Sequence, residues 1–401
     1  MIKKKLKNGL IVILDKQPSK SITIELTVKV GSNYEKENEL GISHFIEHLL
    51  FEGTNKRDTR QIAAAIENLG GEINALTSNE RTSYYIKIIK KHADVALDIL
   101  SDIVKNSLFK NESVEKERQV ILNEISSISD NPNFYQWIVF QRNLFKKNPA
   151  KNPISGYTKT IASITRKQIL DYHNSYYPAN NIILSVVGNY EKNILKKINY
   201  YFYDIKQKRV KKYINIKDPK STKIETYKEK KDFEHSYLVL GHKTVPRDHK
   251  DSYVLDVIRI ILGAGMSSRL FNEIRIKRAL AYNLGVQHEA NLDYGFFAIF
   301  LNAEKKKLEE ARNIVTNELE KIRKITSKEL MDAKNYIEGQ YLIEIEDNQK
   351  RAEAISFWQV IKDYRLFESY LKNISKVTMK DVERVAKKYF DGKYTQIIIE
   401  N

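Results

Sequence analysis

Within five positions, His44, Glu47 and His48 bring together the side chains of this 401-residue chain best suited to chemistry. They lie in the stretch GISHFIEHLLFEGT, residues 41–54. On a helix of about 3.6 residues per turn, Phe45, Ile46, Leu49 and Leu50 share one broad face, and the two imidazoles and the carboxylate share the other. Imidazoles four residues apart can converge on one cation, with the carboxylate beside them. A hydrolytic zinc site takes three protein ligands and keeps a fourth position for water, so a further ligand must come from elsewhere. The chain has no cysteine, which removes thiolate ligands and disulfides and leaves imidazole and carboxylate as donors. By itself the cluster fits the solvated side of a helix equally well.

A source for the third ligand lies downstream. ESVEKERQVILNEISSISDNP reads as a helix from about Asn111 to Ser129, on which Glu117 and Glu124 are seven residues apart and share a face. One glutamate there can complete the ligand set and another can hydrogen-bond a ligand imidazole. The same helix also carries Glu112 and Glu115. Spacing alone does not choose among the four.

The elements that must position these residues read as mixed α and β. A hairpin spans 2–15 with Asn8-Gly9 as a two-residue turn, and SITIELTVKVG alternates apolar residues at period two. A helix at TRQIAAAIENLGG stops at Gly70-Gly71, strands follow at EINALTSN and TSYYIKII, and helices are expected near 93–106, 112–129 and 165–176. Between Lys206 and Lys231, eleven Lys or Arg face three acids around Pro219, a linker signal. Beyond it the order restarts, and residues 164–177 align with 377–390 at a constant offset, Thr165 on Thr378 and Tyr176 on Tyr389. The expected fold class is α+β, with two homologous α/β-roll domains that each pack a mainly antiparallel sheet with helices. The expected division is a metal-binding catalytic domain at 1–205, a basic linker at 206–231 and a homologous C-terminal domain at 232–401.

Composition bounds the function class. The 42% hydrophobic and 30% charged fractions are those of a globular protein, and no apolar run approaches the roughly 18 residues of a membrane span. The N-terminal apolar run, Leu10–Leu14, is too short for a signal peptide, so a cytoplasmic protein is expected. The net charge of +17 arises from lysines spread along the whole chain without a nucleic-acid motif, and neither a nucleic-acid nor a membrane partner is expected.

The stretch GISHFIEHLLFEGT resembles the inverted zinc motif H-x-x-E-H of the pitrilysin, insulin-degrading and mitochondrial processing peptidases, the inverzincins. The resemblance implies one Zn²⁺ per chain held by His44, His48 and Glu124, with Glu47 as general base and Glu117 supporting a ligand imidazole. GGEINALTSNERTSYY (70–85) is similar to the family strand that runs beside bound peptide, which implies substrate contacts at Asn74 and Ala75. GAGMSSRLFNEIRIKRALAYNLG (263–285) resembles the family's C-terminal signature, implying that Arg275 and Tyr282 reach the scissile peptide. Ala279 departs from the glycine common there. The implied activity is zinc-dependent endopeptidase cleavage of unfolded peptides, bound in extended form inside a chamber that a two-domain chain closes by dimerising. A homodimer is the simpler expectation and a heterodimer with a homologous subunit the alternative. An inactive scaffold subunit is the competing reading, although no ligand is lost from this chain.

Overall fold

In the computed structural model, residues 1–211 and 213–400 are described. Lys212, inside the expected linker, and Asn401, at the end of the expected second domain, lie outside them. The alternating apolar residues of the first half form β1 (Ile2–Lys5), β2 (Ile11–Lys16) and β3 (Ser21–Val28), followed by helices α1 (Ile42–Leu49) and α2 (Thr59–Glu67). Strands β4 (Glu72–Thr77) and β5 (Thr82–Ile89) lead into α3 (Ala93–Asn106), α4 (Asn111–Asp130) and α5 (Pro132–Leu144). Then come α6 (Thr158–Ser163), α7 (Arg166–Tyr176), β6 (Ile182–Gly188) and α8 (Ile194–Phe202).

The second half holds β7 (Glu225–Lys230), β8 (Ser236–Lys243) and α9 (Lys250–Gly263), then a π-helical turn at Phe271–Ile276. Strands β9 (Ala281–Ala290) and β10 (Gly295–Ala303) precede α10 (Leu308–Lys321), α11 (Ser327–Glu344) and α12 (Asn348–Ile361). Helices α13 (Arg365–Ser375) and α14 (Met379–Tyr389) lead to the final strand β11 (Thr395–Glu400).

The two sheets share one plan. The first runs β1-β2-β6-β3-β5-β4 and the second β7-β11-β8-β10-β9. Strands β2 and β6 are parallel, as are β7 and β11, and every other neighbouring pair is antiparallel. The repeated segment occupies the same place in both halves. Thr165 caps α7 in a reciprocal box with Gln168, Thr378 caps α14 in one with Asp381, and each helix leads into an interior strand of the sheet's one parallel pair, β6 or β11.

The chain separates into two compact units, Met1–Ser127 with Asn152–Ile214 and Ile343–Phe367, and Ile128–Lys151 with Asn215–Leu342 and Glu368–Asn401. Helices α5 and α12 thus each sit in the unit opposite to their place in sequence. In the second unit, α5 packs Val139, Phe140 and Leu144 against β8 and β11, and Gly241 leaves room for Phe140, whose ring a Cβ at that position would meet at 2.4 Å. In the first unit, α12 lies on β3 and β6, burying Ala352 and Ile355 and bonding Ser356 to Ser185 at 2.9 Å and Asn348 to Ser19 at 2.8 Å. A division of the sequence at 206–231 contains neither exchange, and the last part of that segment is not linker. It is β7, paired in parallel with β11.

The hairpin also differs in detail. Lys5 pairs with Ile11, so five residues turn the chain instead of two, and the Asn8 amide bonds the carbonyls of Phe202 and Ile205 at 2.7 and 3.1 Å. Tertiary bonds shape this turn. Among the described residues, no helix is long and apolar enough to cross a membrane.

Candidate active site

The histidine helix is fixed at both ends before any ligand is considered. Gly41 precedes α1 at φ +94°, where a Cβ would lie 2.7 Å from the Ser155 carbonyl oxygen. The half-buried Glu35 carboxylate accepts from the backbone N–H groups of Gly41 and Ser43 at 2.7 and 2.8 Å, capping the helix from outside it. Ile42, Phe45, Ile46 and Leu49 are buried in the first unit's core, so His44, Glu47 and His48 emerge together on the opposite face.

Helix α4 supplies the rest. Its Arg118 guanidinium stacks 5.5 Å from the Phe45 ring and donates to the carbonyls of Ile161 and Ile164, locking α4 against α1 and α6. That docking brings Glu117 and Glu124 to the histidines. The Glu117 carboxylate lies 3.0 Å from His48 Nδ1, so Nδ1 carries the proton and Nε2 presents its lone pair. His44 Nε2 lies 3.3 Å from His48 Nε2 and 3.7 Å from Glu124 Oε2, which is 3.9 Å from His48 Nε2. Ligands at about 2.0–2.2 Å from a tetrahedral zinc ion stand roughly 3.3–3.6 Å apart, so the three atoms fit such an ion. Among the described residues this is the only group of imidazoles and carboxylates so disposed.

The electrostatics agree with a site built around a cation. Burial, reinforced by the neighbouring His48, lowers His44 to about 4, which keeps its imidazole neutral and able to ligate. Burial raises Glu124, with His48 opposing. For His48, burial acts downward, but the Glu117 hydrogen bond and the charges of Glu47, Glu117 and Glu124 outweigh it and raise the group. Burial also raises Glu47, against a hydrogen bond from the Thr77 hydroxyl that aims its carboxylate. A bound divalent cation would invert this balance in favour of the ionised carboxylates.

Asn74 and Ala75 lie on β4, an edge strand of the first sheet. Thr77 at its end links that edge directly to Glu47. Asn74 Oδ1 accepts from the Ala75 N–H at 2.8 Å, and Leu76 is exposed. The opposite edge is the short, lysine-rich β1, fully exposed and of the kind that resists pairing.

In the second unit, Arg275 lies on the π-helical turn and Tyr282 at the start of β9. The guanidinium sits 4.8 Å from the Tyr282 ring centroid and 5.0 Å from that of Phe271. Tyr282 is 78% exposed, so its ring is not a packed strand aromatic. The structure therefore gathers His44, Glu47, His48, Glu117 and Glu124 in one unit, near Asn74 and Ala75, and pairs Arg275 with Tyr282 in the other. Sequence reasoning does not single out Thr77, Glu35 or Arg118, because each meets its partner through tertiary contact without a local spacing.

Residues 10–157 match the family described as Insulinase (Peptidase family M16), and residues 163–337 match the Peptidase M16 inactive domain. An uncharacterized zinc protease of Rickettsia felis is 35% identical over 405 aligned residues, covering 98% of this chain and 96% of the relative. The chain belongs to peptidase family M16. The M16 match extends to the uncharacterized zinc protease YmxG of Bacillus subtilis, 29% identical over 98% of this chain and 96% of that protein. A crystal structure of a protease from Helicobacter pylori superposes with a TM-score of 0.94 at 26% identity, covering 100% of this chain and 99% of the other. A Pseudomonas fluorescens structure titled as a peptidase M16 inactive domain shares the fold, with a TM-score of 0.89 at 20% identity over 100% and 97% of the two chains.

The corresponding helix of the second unit, α9, carries a buried acid. There α9 packs on β9 as α1 packs on β4 in the first unit. The helix carboxylate of Asp256 is taken by Arg247 at 2.6 Å, His288 Nδ1 at 2.7 Å and the Tyr370 hydroxyl at 3.0 Å. Burial acts to raise it, but Arg247 and His288 hold it far below the usual carboxylate range. A carboxylate saturated in this way serves neither as ligand nor as base.

Proposed function

We propose that this chain is a zinc-dependent endopeptidase that hydrolyses unfolded peptides or short polypeptides inside a chamber closed by homodimerisation. The observation that carries the proposal is the group of His44 Nε2, His48 Nε2 and Glu124 Oε2 within 3.9 Å of one another, with Glu47 on the same helix face. The names of the relatives as zinc proteases support the choice of metal. His44, His48 and Glu124 would hold a zinc ion, which would lower the pKa of a bound water to roughly 7 and polarise a peptide carbonyl.

The chain's own residues do the rest. Glu47, aimed by Thr77, takes the proton of the attacking water on a carboxylate oxygen and hands it to the leaving amine. Glu117 fixes the His48 tautomer. The substrate lies extended along β4, where backbone pairing supplies affinity and side-chain pockets supply preference. Arg275 and Tyr282 donate to the substrate carbonyl as charge develops on its oxygen, contributed by the partner copy across the dimer.

The test separates metal binding from chemistry. Glu47→Gln keeps one zinc per chain by elemental analysis and loses peptide hydrolysis by at least two orders of magnitude. Near-normal hydrolysis by that variant refutes Glu47 as the base.

A further inference from the structure

The π-helical turn and the two residues after it carry three bases, Arg275, Lys277 and Arg278, and they are not equivalent. Lys277 and Arg278 both bind Glu273, at 2.5 and 2.7 Å. Arg275 has no carboxylate partner among the described residues and lies over two aromatic rings, which hold its guanidinium without neutralising it. It borders a cavity of about 350 Å³ that includes Tyr282, His235, Asn302, Glu304 and Lys307. That volume is at the low end for a ligand pocket and suits a residue or two of an extended chain.

The walls carry two permanent cations, Arg275 and Lys307, against the single acid Glu304. Glu304 is already bonded to Lys307 at 2.7 Å and Lys306 at 3.1 Å, and those lysines hold its carboxyl below the ordinary range. His235 adds an imidazole on the same side. A neutral or basic side chain finds little to bind here, whereas a carboxylate completes the free guanidinium.

We infer that this pocket receives a carboxylate of the peptide substrate and gives the enzyme a preference for acidic peptides. The inference rests on the peptidase reading above, in which Arg275 and Tyr282 meet the substrate, and it adds what that substrate carries. The carboxylate comes from an Asp or Glu side chain near the cleaved bond or from the peptide's C-terminus.

The experiment measures affinity apart from turnover. A labelled unstructured peptide is scanned with Glu, Gln or Lys at each position, prepared as C-terminal acid and as amide, and titrated by fluorescence anisotropy into full-length Glu47→Gln protein. One position, or the free C-terminus, is expected to favour the carboxylate on the order of tenfold over its neutral counterpart. Loss of the preference on amidation assigns it to the terminus, and loss on Glu→Gln assigns it to a side chain. Adding Lys307→Gln weakens the preference and Lys307→Glu shifts it towards lysine. Affinities indifferent to charge, or a preference that survives both Lys307 variants, overturn the pocket. Charge-selective binding without cleavage by the unaltered protein overturns the peptidase reading and leaves the pocket standing. Cleavage without charge selection does the reverse.

Discussion

His48 and His44 share one helix face but not one environment. His48 Nδ1 is held by Glu117, whereas His44 Nδ1 is buried without a hydrogen-bond partner among the described residues. Orientation of the ligand pair therefore depends on Glu117. Replacing it with Gln keeps the shape but removes the carboxylate that fixes the tautomer, and zinc affinity falls about 10- to 100-fold. Competition with a chromophoric chelator reads the change, and the exposed Glu112→Gln on the same helix serves as a control with unchanged affinity. At this scale the legible part of the site is the part set by helical spacing. His44, Glu47 and His48 share a face because of where they stand in sequence. Glu117 and Glu124 are chosen among the acids of α4 only by family resemblance, because the docking that selects them runs through Arg118 and Phe45. Thr77, which aims Glu47, sits thirty residues from it with nothing local to mark it.

The elements carry their own tests. Ala279, three residues past the π-helical turn, sits at φ +48°, with the Leu280 N–H bonded to the Ile274 carbonyl at 2.9 Å, so the glycine common in the family is explained by backbone conformation. Alanine in that region costs about 1–2 kcal/mol, partly offset by the greater unfolded-state entropy of glycine. Ala279→Gly is expected to stabilise the chain by about 1 kcal/mol, raising the thermal midpoint of the second unit by a few degrees. A lowered midpoint contradicts the strain. Asp251 near the start of α9 gives the pH test. Burial acts to raise it, but hydrogen bonds from Lys388, Arg384 and the Tyr389 hydroxyl bring it down to about 2. A carboxyl depressed below its unfolded value stabilises the fold above about pH 4, and that contribution disappears as pH falls towards 2. Asp251→Asn therefore costs about 2 kcal/mol at pH 7 and flattens the acid limb of stability, read by denaturant unfolding from pH 2 to 7. Most strands and helices are visible in apolar periodicity, down to the repeated Thr165 and Thr378 caps. The exchange of α5 and α12 is not, because periodicity marks a buried face without naming the sheet that buries it. Strand β7 is hidden for a related reason, since its lysines and glutamates read as linker until β11 pairs with it.

For the whole molecule, the repeated fold carries a His-His-Glu group able to hold a metal ion on α1 and α4 of one unit and a saturated salt-bridge network on α9 of the other. The net charge of +17 shows no motif of its own and agrees with a preference for acidic peptides. The proposed chamber predicts that unfolded peptides are cut and folded proteins survive. The decisive measurement is hydrolysis of a mixed library of unstructured peptides by the purified protein, followed by mass spectrometry, with chelator and with zinc restored. Cleavage that stops with chelator and returns with zinc is the predicted result. Cleavage that persists after the metal is removed, or no cleavage by protein carrying one zinc per chain, contradicts the account.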